Sequence, residues 1–78
     1  MYIEFWLPQD LRNVIAAAIR AEVAVWAERY GVPASDYSQK TIKYTHRLGF
    51  NKQEHFSLFS MTWNKFDFKI VRVEDQRS

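Results

Sequence analysis

The two histidines, His46 and His55, are the residues of this 78-residue chain best suited to moving a proton or holding a metal, and nothing around them completes a site. His46 falls on the apolar face of its segment, where an imidazole is ordinarily a hydrogen-bonded member of the core. His55 follows Glu54 and, in the strand register set out below, faces Glu74. One imidazole with carboxylates at a strand end falls short of the three or four converging ligands a metal needs. The chain has no Cys, which removes disulfide scaffolds, Cys-based zinc modules, iron–sulfur centres and thiol nucleophiles, and makes a reducing, cytoplasmic location the default. No Ser occupies a nucleophile elbow, and Gly31 and Gly49 are isolated, so no glycine-rich phosphate loop forms. Glu22 lies at the edge of an apolar helical stripe near Arg29 and reads as a structural pair. The residues therefore point away from catalysis, with no cofactor and no metal.

Binding is the remaining chemistry, and charge shows where it would sit. Residues 1–37 carry three Arg against five acids, whereas residues 38–78 carry eight Lys and Arg against four. Between Tyr37 and Gln53 there is no acid at all, while Lys40, Lys43, Arg47 and Lys52 supply positive charge. The net charge of +2 is small for a protein whose affinity would rest on phosphates. Aromatic residues make up 17% of the chain, more than a core of this size needs, and Trp and Tyr are favoured at interfaces.

The elements that must position these residues follow from periodicity. Tyr2–Leu7 reads as a strand with Ile3, Phe5 and Leu7 on one face and Tyr2, Glu4 and Trp6 on the other. Pro8–Tyr30 reads as a helix, opened by Pro8 and Asp10 and stopped by Gly31. Leu11, Ile15, Ile19, Val23, Trp26 and Tyr30 form its core stripe, and Ala17, Ala21 and Ala24 line another face. Val32–Gln39 reads as a loop. Three strands are expected after it: Thr41–Phe50, His55–Trp63 and Phe66–Glu74, joined by turns at Lys52-Gln53 and Asn64-Lys65. Those turns place Ile42, Tyr44, His46, Phe59, Met61, Trp63, Phe66, Phe68 and Ile70 on one side, against the helix. The expected architecture is α+β: a two-layer β-α-β-β-β domain over residues 1–74, with one long helix on a mostly antiparallel four-stranded sheet, and a frayed tail at 75–78. The N-terminus lacks the basic and apolar regions of a secretory leader, and no apolar run approaches the ~20 residues of a membrane span.

In this register the second sheet face carries an apolar patch, Phe56, Leu58, Val71 and Val73, beside Arg47, which one helix cannot also cover. That patch is the expected protein-binding surface of a small non-catalytic module, an inhibitor, adaptor or regulator acting by occupying a surface. Free-standing domains of this size are frequent among accessory proteins of viruses and mobile elements. The same patch, or the alanine face, suits a homodimer. The alternative partner is nucleic acid, held by Lys40, Lys43, Arg47, Lys52 and Lys69 with exposed aromatics for stacking. A helix followed by three strands resembles the double-stranded-RNA-binding domain in outline, without that family's closing helix or basic helix-start motif, so no residue is assigned from it.

Overall fold

Alternating aromatic and β-branched residues build the first strand, β1 (Tyr2–Trp6), which buries Ile3 and Phe5 and turns Tyr2, Glu4 and Trp6 the other way. The computed structural model describes residues 2–71. Leu7 is also buried, and Pro8 ends the strand. A single 3-10 turn, Gln9–Leu11, leads into helix α1 (Arg12–Tyr30). Gly31 stops the helix at φ 71°. Its N–H and that of Val32 donate to the carbonyls of Glu28 and Ala27, at 3.4 and 2.8 Å, a closure that needs a residue at ease with positive φ. Ala16, Ile19, Val23, Trp26 and Ala27 face the core. The ends of the expected stripe, Leu11 and Tyr30, stay exposed, as do Val14, Val25 and the alanines at 17, 21 and 24.

The second half departs from the expected three strands. The expected loop at Val32–Gln39 holds a 3-10 turn and already starts β2 (Tyr37–Ile42). The expected strand Thr41–Phe50 is a hairpin instead: β2 turns at Lys43-Tyr44 into β3 (Thr45–Phe50). Lys43 adopts φ 52° to make the turn. His55–Trp63 is not a strand. Helix α2 (Gln53–Thr62) occupies it, burying Phe56 and Phe59, with Trp63 buried just beyond its end. The Asn64-Lys65 hairpin and its register vanish with that strand, and Met61 lies 77% exposed rather than against Trp26. Of the expected last strand, Phe66–Phe68 lie outside any strand, and β4 covers Lys69–Val71. Val73, Glu74 and the tail at 75–78 lie outside the described residues.

The four strands form one antiparallel sheet in the order β2-β3-β1-β4. Since β1 and β2 both oppose β3, they run parallel with β3 between them; β3 and β4 are related in the same way about β1. The β-α-β-β-α-β order is thus two interleaved split β-α-β units, the ferredoxin-like arrangement. The α+β class, the long helix and the four-stranded sheet are as expected, and α2 is the addition.

Both helices pack on the same sheet face, and Phe59 joins them. Its ring lies 4.9 Å from Trp26 on α1, 4.7 Å from Trp63, and 5.6, 5.8 and 6.4 Å from Phe50, Phe68 and Phe5. Trp26 Nε1 also donates to Thr62 Oγ1 at 2.8 Å, tying α1 to the end of α2. Removing this ring leaves a void among groups fixed on four sides. Phe59→Ala is expected to cost about 3–5 kcal/mol, whereas Met61→Gln should change stability by less than about 0.5 kcal/mol. Urea unfolding of both variants checks the helical placement; a larger loss for Met61→Gln would contradict it.

Candidate functional site

With both helices on one side, no described element covers the opposite sheet face, and the strand pairing fixes what stands on it. Lys40 opposes Arg47, Arg47 opposes Glu4, and Glu4 opposes Lys69, so one row crosses all four strands. At the usual strand spacing that row spans about 14 Å. Ser38, Gly49 and Tyr2 form the next row on one side; Ile42, Thr45 and Trp6 form the row on the other. Tyr2 and Trp6 thus stand on the same face of β1, roughly 13 Å apart.

Arg47 is held in place. Its Nε donates to Glu4 Oε2 at 3.0 Å, and its guanidinium lies 4.5 Å from the centre of the Tyr2 ring. Such a surface pair adds little to stability, but it orients the planar head and leaves the terminal N–H groups without a protein partner among the described residues. Lys40 and Lys69 are exposed and make no ion pair among those residues. Trp6 is 79% exposed. The indoles of Trp26 and Trp63 donate inward, to Thr62 Oγ1 and the Phe66 carbonyl, whereas that of Trp6 has no described partner. Gly49 leaves a flat shelf beside Tyr2: a methyl group there would meet only Ser38 Oγ, at an ordinary 3.6 Å. The fold does not require a glycine at that position.

Trp6 also separates two shallow concavities. One, of about 410 Å³, is lined by Glu4, Trp6, Thr45, Asp67, Phe68 and Lys69. The other, of about 390 Å³, is lined by Trp6, Leu7, Pro8, Gln9 and Tyr44. Beyond it the Arg12 guanidinium sits 5.6 Å over the Tyr44 ring and donates to the Lys43 carbonyl at 3.3 Å.

The residues expected to bind nucleic acid therefore largely converge. Lys40, Arg47 and Lys69 share the row, and Lys43 stands in the hairpin turn at the edge of the same sheet. Lys52 does not join them: it precedes α2, with Nζ 3.6 Å from Asp36 Oδ2. The residues expected to form a protein-binding sheet patch disperse. Phe56 is buried in the core on α2, and Leu58 is half-buried on the same helix, because their segment is helical rather than extended. Val71 pairs with Tyr2 in β4, Val73 lies outside the described residues, and Arg47 belongs to the cationic row. Phe50, an aromatic of the basic segment, is not free to stack: it packs against Trp26, Tyr37, Phe56 and Phe59. Trp6 and Tyr2 were the residues missed. The alternation in Tyr2–Leu7 places both on the outer face, and what was lacking was the position of β1 in the middle of the sheet, beside β3 and Arg47.

His55 lies at the start of α2, its Nδ1 3.8 Å from Asp36 Oδ2, rather than across a sheet from Glu74. His46 is fully buried on the core face. Gln39 Nε2 donates to the Arg20 carbonyl at 3.4 Å, which turns its Oε1 toward His46 Nε2 at 2.7 Å. The proton therefore sits on Nε2, and Nδ1 accepts from Thr41 Oγ1 at 2.9 Å. Among the described residues no three His, Asp or Glu side chains gather into a metal site, and no helix is long and apolar enough to cross a membrane. No family model, curated protein or solved structure matches the chain.

Burial, and then the charge of Arg20, lowers the His46 pKa from 6.5 to about 4. An imidazole held neutral in the fold binds its proton more readily when unfolded, so its contribution is complete above pH 6.5 and declines as pH falls to about 4. The urea midpoint should drop through that window, and the His46 ring resonances should keep their neutral-form shifts until pH approaches 4. Titration of the ring near 6.5 would contradict the buried network.

Proposed function

We propose that the bare sheet face binds single-stranded nucleic acid, without catalysis. The observation that carries this reading is the indole of Trp6, exposed on the sheet face in the row next to Lys40, Arg47 and Lys69. Every base presents a π-face, so aromatic side chains on a flat sheet stack bases with little regard to sequence, while neighbouring cations follow the phosphates. Trp6 supplies one stacking position and the Tyr2–Arg47 pair a second. The Gly49 shelf lets a ribose or base approach the backbone closely. A duplex would present only its edges and phosphates to such a surface, so a single strand is the better fit.

Phosphate contacts from Lys40 and Arg47 give an expected slope of log K against log salt of about −1.4, from roughly 0.7 per neutralised phosphate. A 5′-labelled 12-nucleotide strand of mixed sequence, followed by anisotropy, tests this. Trp6→Ala should weaken binding by about 5- to 150-fold, the worth of one stacked base. Lys40→Ala should flatten the salt slope by about 0.7, Gly49→Ala should weaken binding without loss of stability, and Lys52→Ala should leave binding unchanged. Absence of binding at low salt, or binding indifferent to Trp6, would overturn the proposal.

A second reading, the surface-occupying inhibitor, adaptor or regulator, is favoured by the opposite flank of Trp6. There Pro8, Tyr44 and the Arg12 head that covers it extend the indole into an aromatic, arginine-bearing patch, the composition of interface hot spots. A protein partner, a second copy of the chain included, would be lost with Tyr44→Ala, a change that leaves the Lys40–Lys69 row intact. Nuclease treatment separates the two readings in a pull-down.

A further inference from the structure

The 410 Å³ recess on the β4 side of Trp6 carries an uneven set of hydrogen-bond donors and acceptors. Phe68, one of its lining residues, packs 6.2 Å from Phe5 and 5.8 Å from Phe59, which ties the recess to the core. Its wall is the exposed Trp6 indole. The polar groups around it are nearly all acceptors. Glu4 gives Oε2 to Arg47, leaving Oε1 without a protein donor among the described residues. Asp67 is exposed and makes no ion pair or hydrogen bond among them. Thr45 spends its hydroxyl proton on the Ile42 carbonyl at 2.9 Å, so toward the recess it offers lone pairs only. Lys69 is the single cationic donor in the lining.

Two carboxylates are out of place where phosphates bind, since each repels the strand. They fit a base edge rich in donors. Among the common bases only guanine sets two donors side by side, N1–H and the N2 amino group, and so meets one carboxylate with two parallel hydrogen bonds; adenine, cytosine and uracil each present a single donor there. Charge-assisted, bidentate bonds of this kind are both strong and specific. Guanine also carries O6 as an acceptor, within the chemistry of the Lys69 ammonium. We infer that this recess takes a guanine base, stacked on Trp6, with the Asp67 carboxylate accepting from N1–H and N2–H and Lys69 meeting O6. The inference rests on the reading of the sheet face as a single-strand surface and adds a base preference to it.

Four labelled octamers test it, each seven uridines with G, A, C or U at the fourth position. The guanine octamer should bind the native protein at least about tenfold more tightly than the other three, the worth of one bidentate base contact. Asp67→Asn, which replaces one acceptor by a donor, should bring the four affinities to within about twofold while leaving the all-uridine affinity equal or higher. Guanosine 5′-monophosphate competing as well as the guanine octamer would show the free nucleotide to be sufficient for the recess, and competition by the octamer alone would show that the flanking strand contributes; guanine recognition stands in both cases. Equal binding of all four octamers, with Trp6→Ala still weakening each, would overturn the guanine site and leave the sheet-face proposal standing. A guanine preference unchanged by Asp67→Asn would also overturn the assignment. Failure of every octamer to bind would remove both.

Discussion

The Phe59 ring is the contact on which the remaining structure depends. It meets Trp26 on α1, Trp63 at the end of α2, and Phe5 and Phe50 on the sheet, so it fastens both helices to one face. A chain of 78 residues has enough apolar area for one such core and not two. Among the described residues both helices cover the same face, and the other is left uncovered. The bare face follows from this economy, and the residues that sit on it follow from the register.

The register is in turn fixed by burial on the opposite side. Ile3, Phe5 and Leu48 point into the core, so Tyr2, Glu4, Trp6 and Arg47 must point out. Glu4 and Arg47 are cross-strand partners, and their ion pair holds the arginine over Tyr2. His46 with Gln39 and Thr41 is the polar counterpart within the core: a buried imidazole satisfied at both nitrogens, joined through Gln39 to the backbone of α1. A network satisfied in this way keeps β2 aligned with β3 and leaves no reactive group at its centre.

The first half of the chain was legible because each signal had one meaning. Alternation in Tyr2–Leu7, Pro8 before the helix and Gly31 after it all found their expected places. Residues 55–63 carried two meanings. Phe59, Met61 and Trp63 alternate as a strand, while Phe56, Phe59 and Trp63 recur at helical spacing; the second set is buried throughout, whereas Met61 of the first is exposed. Aromatic residues and threonine favour a strand, but Ser60 and Thr62 return their hydroxyl protons to the carbonyls of Phe56 and Leu58 within the helix. Tertiary packing decided between the two periods. The Lys43-Tyr44 turn was invisible for a different reason, since neither residue is an ordinary choice for positive φ. Placing helix and turn wrongly sent Phe56 and Leu58 to a surface they do not occupy. The cations Lys40, Arg47 and Lys69 were found because charge remains outside under either register.

The central claim is that the uncovered sheet face, and not the helical side, is where this protein meets its partner. The indole N–H resonances of the protein's three tryptophans report on this directly, because Trp6 lies on the open face while Trp26 and Trp63 are buried and hydrogen-bonded within the core. On titration of ¹⁵N-labelled protein with a single-stranded oligonucleotide, the Trp6 indole and the amides of Glu4, Thr45, Arg47 and Gly49 should shift, while the indoles of Trp26 and Trp63 stay in place. Shifts confined to the outer surface of α1 or to α2, with the Trp6 indole stationary, would contradict the account.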